Sequence, residues 1–192
     1  SMPMGRSTAI GIDIKGNLKS LNVAGIATTY EVDTQGRRIR ETDGTGAVTT
    51  YSFDANGNEL TRTVTRTVNG TPRTETTTRV YDADNRVVQE TDPTGAVTKP
   101  TYNSAGKPTT QTDALNRVTS YSYDANARLV KTIYPDGTTE TIEYDANGNE
   151  VALSDRQGRT TRMAYDELDR LTATTLPDGT TTRTEYDDAG RM

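Results

Sequence analysis

The sequence contains no cysteine and no histidine among its 192 residues. Without cysteine, the chain has no disulfide bonds, thiolate metal ligands or thiol nucleophiles. Without histidine, it lacks the side chain that most often serves as general base and metal ligand near neutral pH. The remaining reactive groups are carboxylates, hydroxyl groups and lysine, and none of them is singled out. We therefore predict no catalytic, cofactor-binding or metal-binding residues.

Apolar residues are also scarce. They make up 31% of the sequence, tryptophan is absent and Phe53 is the single phenylalanine, whereas a globular domain has about 45–50% apolar residues. No apolar run approaches the ~20 residues that a membrane helix requires. We therefore expect neither a deep hydrophobic core nor a membrane span.

The charged residues are mixed in sign along the chain. Twenty-two basic and 27 acidic residues are interspersed and give a net charge of -5, so no basic patch for a nucleic-acid partner is expected. A low apolar content also fits a disordered chain. Two features favour an ordered β-structure instead: threonine, a strand former, is abundant, and the ten tyrosines recur at regular positions.

An aromatic or aliphatic residue followed by Asp or Asn recurs along most of the chain. The residues at this position are Val32, Phe53, Tyr81, Tyr102, Tyr123, Tyr144, Tyr165 and Tyr186. Neighbouring positions are 21 residues apart, except for one interval of 28. A fixed period of this size indicates a repeat architecture. A degenerate copy, beginning near Ile12, precedes Val32.

Each period contains two turn signals about ten residues apart. The first turn starts at the Asp after the aromatic residue, as in Asp54 to Gly57, and the second has the form Asp-x-x-Gly or Pro-Asp-Gly, as in Pro177 to Gly179. Asp at the first turn position accepts hydrogen bonds from backbone N–H groups two or three residues on, and Gly at the fourth tolerates positive φ. The turns leave two strands of about six residues, so each unit is a β-hairpin.

The predicted fold is all-β: an array of stacked β-hairpin repeats of about 21 residues each, forming a curved or spiralling antiparallel β-sheet strip. We assign residues 12–192 to the array and residues 1–11 to a cloning scar and flexible lead-in. The 28-residue interval holds a long inserted hairpin at about residues 59–80, with its turn at Asn69-Gly70, a strong hairpin signal. We expect this hairpin to project beyond its neighbours.

The segments 53–58, 144–149, 165–170 and 186–191 resemble the YD repeat, also called the Rhs repeat, and segment 177–182 resembles its second turn. The resemblance extends from about residue 12 to the end of the chain. The residues that match the repeat motif, and that we predict to be its structural residues, are Phe53, Asp54, Gly57, Tyr81, Asp82, Tyr102, Gly106, Tyr123, Asp124, Tyr144, Asp145, Gly148, Tyr165, Asp166, Tyr186, Asp187 and Gly190.

The resemblance implies a non-catalytic structural module of a large secreted or cell-surface bacterial protein. In Rhs proteins, in the C component of insecticidal toxin complexes and in teneurins, many such repeats close into a β-sheet shell, and in the bacterial toxins the shell encloses a variable C-terminal toxin domain. The implied partners are neighbouring repeats and this toxin cargo. The segment 92–96 is the nearest match to the Asp-Pro-x-Gly-Leu motif associated with self-cleavage of the Rhs core, but it lies within the array and is interpreted as an ordinary second turn.

Several alternatives stay open from the sequence. Stacked tyrosines could form a carbohydrate-binding or adhesion surface, and free strand edges at the two ends of the array could support self-association. The oxygen-rich segments 54–59 and 145–150 could bind calcium, although they lack the spacing of an EF-hand. An enzyme would need a carboxylate or tyrosine outside the repeat pattern, and the sequence offers none.

Overall fold

The protein is described from a computed structural model, which places residues 8–187 and 189–192. These residues form seventeen β-strands and no helix. The strands are β1 (Thr8–Ile12), β2 (Leu18–Val23), β3 (Ile26–Val32), β4 (Arg38–Thr42), β5 (Val48–Phe53), β6 (Glu59–Val68), β7 (Thr71–Tyr81), β8 (Val87–Thr91), β9 (Val97–Tyr102), β10 (Pro108–Thr112), β11 (Val118–Tyr123), β12 (Leu129–Ile133), β13 (Thr139–Tyr144), β14 (Glu150–Ser154), β15 (Thr160–Tyr165), β16 (Leu171–Thr175) and β17 (Thr181–Arg183).

The chain divides into two compact units, Ser1–Lys99 and Pro100–Met192. In the first unit, each strand from β1 to β8 pairs with the next strand in antiparallel orientation. In the second unit, the strands from β10 to β17 pair in the same way. The predicted all-β fold of consecutive antiparallel hairpins is therefore confirmed.

The first residues differ in part from the prediction. Strand β1 begins at Thr8 and pairs with β2, so residues 8–11, which were predicted to belong to a flexible lead-in, are part of a strand. The cloning scar predicted at the start falls in residues 1–7, which lie outside the described residues. The assignment of the array to residues 12–192 stays a prediction.

A β-bulge occurs where a strand ends at a motif residue. The register shifts between Ser52 and Phe53, between Ser122 and Tyr123, and at the equivalent point of β3, β7, β13 and β15. At each shift, one extra residue stands on the following strand, such as Leu60 between the pairs Ser52–Thr61 and Phe53–Glu59. A bulge bends its strand and increases the local right-handed twist. This bulge was not predicted from the sequence.

The sheet surfaces are only half-buried. Among the described residues, Ala152 and Thr132 are the two that count as buried, with 2% and 8% of their surface exposed. The expectation that the chain lacks a deep core is therefore confirmed. Cross-strand contacts and the backbone ladder supply the stabilising interactions.

The two faces of the sheet carry different side chains. Residues that stand opposite each other in an antiparallel ladder share a face, and Tyr51 stands opposite Arg62. The neighbouring positions, on the other face, hold cross-strand hydroxyl pairs. Thr63 and Thr76 are 3.0 Å apart, oxygen to oxygen, and Ser154 and Thr160 form a similar pair at 2.7 Å. These paired hydroxyls therefore lie on the face opposite the motif aromatics.

Strands β6 and β7 are ten and eleven residues long, longer than the others. Asn69 and Gly70 connect them, with φ values of 49° and 78°. Positive φ at both residues defines a two-residue turn of type I′. The pairing of β5 with β6 reaches Thr65 and that of β7 with β8 starts at Thr78. The remaining residues towards the turn, 66–68 of β6 and 71–77 of β7, therefore pair only with each other.

Candidate functional site

The residues after each motif aromatic, and after Ile12 and Val32 at the equivalent positions, form a five-residue turn, which we call a motif turn, with positions numbered first to fifth. The motif turns are residues 13–17, 33–37, 54–58, 82–86, 103–107, 124–128, 145–149, 166–170 and 187–191. In each of them, the first residue's N–H donates to the fifth carbonyl and the fourth residue's N–H donates to the first carbonyl, over 2.9–3.2 Å. The fourth residue has positive φ in every motif turn, which completes a type I turn followed by a left-handed residue.

The aspartate at the first position holds the turn with both carboxylate oxygens. Oδ1 of Asp82 accepts the N–H of Asp84 at 2.9 Å and that of Arg86 at 3.0 Å, and Oδ2 accepts Nε of Arg86 at 2.8 Å. Asp124 repeats this pattern with Asn126 and Arg128. The donors to these two aspartates are two and four residues on, and Asp145 also accepts the N–H of Gly148, three residues on. The sequence led us to expect donors two or three residues on.

These hydrogen bonds keep the aspartates ionised. The side-chain hydrogen bond from Arg86 lowers the pKa of Asp82, followed by the backbone N–H of Arg86. The backbone N–H of Arg128 lowers the pKa of Asp124, and that of Arg170 lowers the pKa of Asp166. A carboxylate that accepts several N–H groups is stabilised in its charged form. It is a turn-stabilising group and is not poised to donate a proton.

Arginine at the fifth position contacts the next repeat. Its guanidinium lies over the next motif aromatic, 4.4 Å from the ring centre for Arg128 and Tyr144. The Arg170–Tyr186 pair has 4.6 Å, and Arg37 lies 4.8 Å from the ring centre of Phe53. This is the geometry of a cation–π interaction. Each such arginine therefore joins its own Asp to the ring of the following hairpin.

The tyrosine hydroxyls make a second contact between repeats. Tyr144 donates from its hydroxyl to the carbonyl of Leu129 at 3.2 Å, and Tyr186 donates to the carbonyl of Leu171 at 3.1 Å. Tyr81 donates likewise to the carbonyl of Glu59 at 3.0 Å. Each acceptor belongs to the strand that follows the preceding motif turn. The hydroxyl thus fixes the distance between adjacent hairpins.

Asparagine at the fifth position makes a different contact with the next turn. Nδ2 of Asn58 donates to Oδ1 of Asn85 at 2.7 Å, and Nδ2 of Asn56 donates to the same oxygen at 3.0 Å. In the second unit, Asn147 and Asn149 donate to Oδ1 of Asp169 at 2.8 and 2.6 Å. The acceptor is in both cases the positive-φ residue of the following turn.

Within each unit, the predicted motif residues thus lie at the ends of successive strands instead of converging on one point. Tyr102, Tyr123 and Tyr165 end β9, β11 and β15, and Gly106 and Gly190 hold the positive-φ position, with φ of 76° and 78°. The role of the fifth residue, Arg or Asn, was not predicted from the sequence. Its recurrence at the end of the motif was the signal that could have revealed it.

The segments considered for calcium use their oxygens within the turn. Asp54 accepts the N–H groups of Asn56 and Asn58 on Oδ1 and Nδ2 of Asn58 on Oδ2. Within the described part of the chain, no group of three or more Asp and Glu side chains is placed to hold a metal ion. The geometry therefore favours the structural interpretation of these turns. No helix long and apolar enough to cross a membrane occurs in residues 8–187 and 189–192.

A cavity of about 890 Å³ lies in the second unit, between strands β12 to β15 and the turn at Pro177. Leu129, Ile142 and Leu153 supply apolar lining, and no aromatic side chain lines it. The lining therefore offers no aromatic face on which a sugar ring could stack. The Glu140 carboxylate in the lining accepts a hydrogen bond from the hydroxyl of Tyr134 at 2.6 Å, so this carboxylate already has a partner within the protein.

This arrangement of consecutive hairpins joined through their motif turns is that of a β-hairpin repeat protein. The RHS Repeat family model matches residues 32–72, 102–139, 144–181 and 165–192. The chain belongs to the RHS repeat family, as its resemblance to the YD repeat predicted. No curated protein sequence matches it significantly.

Solved structures with a similar fold include large assemblies. In the crystal structure of TcdB2-TccC3-TEV, the match has a TM-score of 0.53 and 18% identity and covers 95% of this chain and 12% of that chain. The crystal structure of TcdB2-TccC3 without hypervariable C-terminal region matches with a TM-score of 0.48, 16% identity and coverage of 96% and 13%. At this identity the first match establishes the fold alone. The chain spans about an eighth of the length of these proteins.

Proposed function

We propose that the chain is a non-catalytic structural module, a segment of the β-sheet wall of a shell in a large bacterial toxin of the RHS type. The observation that carries this proposal is the regular contact between adjacent motif turns, as between Arg128 and Tyr144. Such contacts let hairpin follow hairpin without a common core. Membership in the RHS repeat family and the fold shared with TcdB2-TccC3-TEV support it.

The partners proposed for this wall are the neighbouring repeats and an enclosed C-terminal toxin domain of a longer parent protein, secreted or displayed at the cell surface. A wall of this kind acts by exclusion, because it separates the enclosed domain from proteases and substrates outside. It needs a continuous sheet and no reactive groups. Two observations agree with that requirement. The carboxylate of Asp124 is hydrogen-bonded within its own turn, and the ring of Tyr144 is covered by the guanidinium of Arg128.

The test is limited proteolysis of the parent protein, expressed with the segments that flank this chain in its gene. We expect the C-terminal segment to resist protease in the unmodified protein. In the variant Arg128→Ala, which removes the contacts of Arg128 to Asp124 and Tyr144, we expect it to be cleaved sooner. The variant Glu143→Gln is the control, since Glu143 is exposed. Immediate cleavage of the C-terminal segment in the unmodified protein would contradict enclosure.

A further inference from the structure

The chain contains three Asn-Gly pairs, at Asn56, Asn69 and Asn147. An Asn-Gly pair is the sequence in which a backbone nitrogen most readily attacks a side-chain amide, because glycine has no side chain to hinder the approach. All three asparagines are exposed, so access to water does not distinguish them. Their hydrogen bonds do.

At Asn56 and Asn147, both reacting groups are held by hydrogen bonds. The side-chain amide of Asn56 donates to Asn85 at 3.0 Å, and the N–H of Gly57 donates to the carbonyl of Asp54 at 3.2 Å. The second pair repeats this arrangement. The side-chain amide of Asn147 donates to Asp169 at 2.8 Å, and the N–H of Gly148 donates to both the backbone carbonyl and Oδ1 of Asp145.

The third pair lies at the tip of the hairpin formed by β6 and β7. Among the described residues, neither the Asn69 side chain nor the Gly70 N–H has a hydrogen-bond partner. The two-residue turn pairs Val68 with Thr71 across it and leaves the N–H of Gly70 outside the ladder. The nucleophile and the electrophile are therefore both free at this site.

We propose that Asn69 is a site of spontaneous deamidation, and that the motif turns protect Asn56 and Asn147 from the same reaction. The Gly70 nitrogen attacks Cγ of Asn69 and forms a cyclic imide, the Cγ–Nδ2 bond breaks, and Nδ2 leaves as ammonia with the proton of the Gly70 N–H. Water then adds to either imide carbonyl and opens the ring to aspartate or isoaspartate. The net reaction consumes one water and releases one ammonia.

The modification changes the hairpin tip in charge and in backbone length. Arg66 and Arg73 share Glu75, at 3.0 and 3.4 Å, and a new carboxylate at residue 69 offsets the surplus positive charge there. Isoaspartate also inserts a methylene group into the main chain. A two-residue turn whose residues both have positive φ fixes the register of its hairpin, so the isoaspartate form loosens the tip.

The experiment is incubation of the folded chain at mildly alkaline pH, followed by tryptic digestion and mass spectrometry. The three pairs fall in separate tryptic peptides, residues 41–62, 67–73 and 132–156. Breaking two hydrogen bonds of ordinary strength before attack corresponds to a rate difference of about tenfold or more. We therefore expect peptide 67–73 to acquire the mass of the acid at least about tenfold faster than the other two. Equal rates, or slower conversion at Asn69, would overturn the proposal.

Two controls separate structure from sequence. In concentrated urea the hydrogen bonds are lost, and we expect the three rates to converge; a preference for Asn69 that persists in urea would refute protection by the motif turns. The variant Asn85→Gly removes the acceptor of the Asn56 amide and suits the φ of 60° at that position. We expect it to accelerate deamidation at Asn56 and to leave Asn69 unchanged, whereas an unchanged rate at Asn56 would rule out the hydrogen-bond explanation.

Discussion

Ala127 occupies the fourth position of a motif turn with φ of 59°, where most other motif turns have glycine. A left-handed conformation costs a residue with a Cβ about 1–2 kcal/mol. We expect Ala127→Gly to raise the free energy of unfolding by about 1 kcal/mol, because glycine relieves this strain. Urea unfolding monitored by circular dichroism measures the change.

The control is the same replacement two residues earlier, Ala125→Gly. Ala125 is exposed and does not have positive φ, so glycine there mainly increases the freedom of the unfolded chain and lowers stability by about 0.5–1 kcal/mol. Opposite signs for the two variants would support the strain at Ala127. The same sign for both would contradict it.

At the scale of one hairpin, strands and turns could be predicted from the sequence because Asp and Gly mark the turns and an aromatic residue ends the strand. The bulge could not be predicted. Its extra residue is aliphatic in five of the six bulges described above, such as Leu60, and is Thr172 in the sixth, but an aliphatic residue at this place fits a regular strand equally well. The contact of Arg128 with Tyr144 was also missed, since it joins two repeats and a pattern read within one hairpin does not reveal it.

The contact between hairpins can be weakened by one replacement. Arg128 pairs with Asp124 at 2.7 Å while its guanidinium covers the Tyr144 ring. A lysine ammonium cannot form both contacts with the same geometry. We expect Arg128→Lys to lower the free energy of unfolding by about 1 kcal/mol.

The matched control is Arg162→Lys. Arg162 is exposed and stands opposite Ala152 in the ladder, without an ion pair or ring contact to any described residue. We expect a change within about 0.5 kcal/mol for this variant. Equal losses in the two variants would show that the stacked geometry of Arg128 contributes nothing specific.

For the whole molecule, the motif-turn aspartates make stability depend on acid pH. Hydrogen bonds lower their pKa values from the ordinary 3.8. The largest cause is the side-chain hydrogen bond from Arg86 for Asp82 and that from Asn17 for Asp13. The unfolded chain then binds more protons than the folded chain as the pH falls. This stabilisation is present above pH 3.8 and is lost as the pH falls through the lowered pKa values.

We therefore expect the thermal unfolding midpoint to be steady with respect to these groups from about pH 8 to 5 and to fall below about pH 4. Differential scanning calorimetry at a series of pH values measures it. The variant Asp82→Asn should unfold at a lower temperature at neutral pH and lose less on acidification. A midpoint that does not fall between about pH 4 and 2 would refute the assignment.

Self-association is a further prediction for the whole chain. Within the first unit, β1 pairs with β2 alone and carries Ile10 and Ile12, 66% and 64% exposed. An apolar strand edge of this kind favours pairing with another chain. We expect the mass measured by light scattering to rise with concentration, and Ile10→Lys to reduce the rise. A monomer at every concentration would contradict the prediction.

The two kinds of motif-turn contact make the boundaries between repeats unequal. Where the fifth residue is arginine, the next turn has glycine at its fourth position, and a Cβ added at Gly148 would lie 3.5 Å from Nη1 of Arg128. Where the fifth residue is Asn58, the next turn supplies Asn85 as acceptor. Loss of residues 54–81 by recombination would keep the strand pattern in phase but set Arg37 against Asn85. The loss or gain of one unit would therefore replace one kind of contact between neighbouring turns by another, although the strand pattern stays in phase.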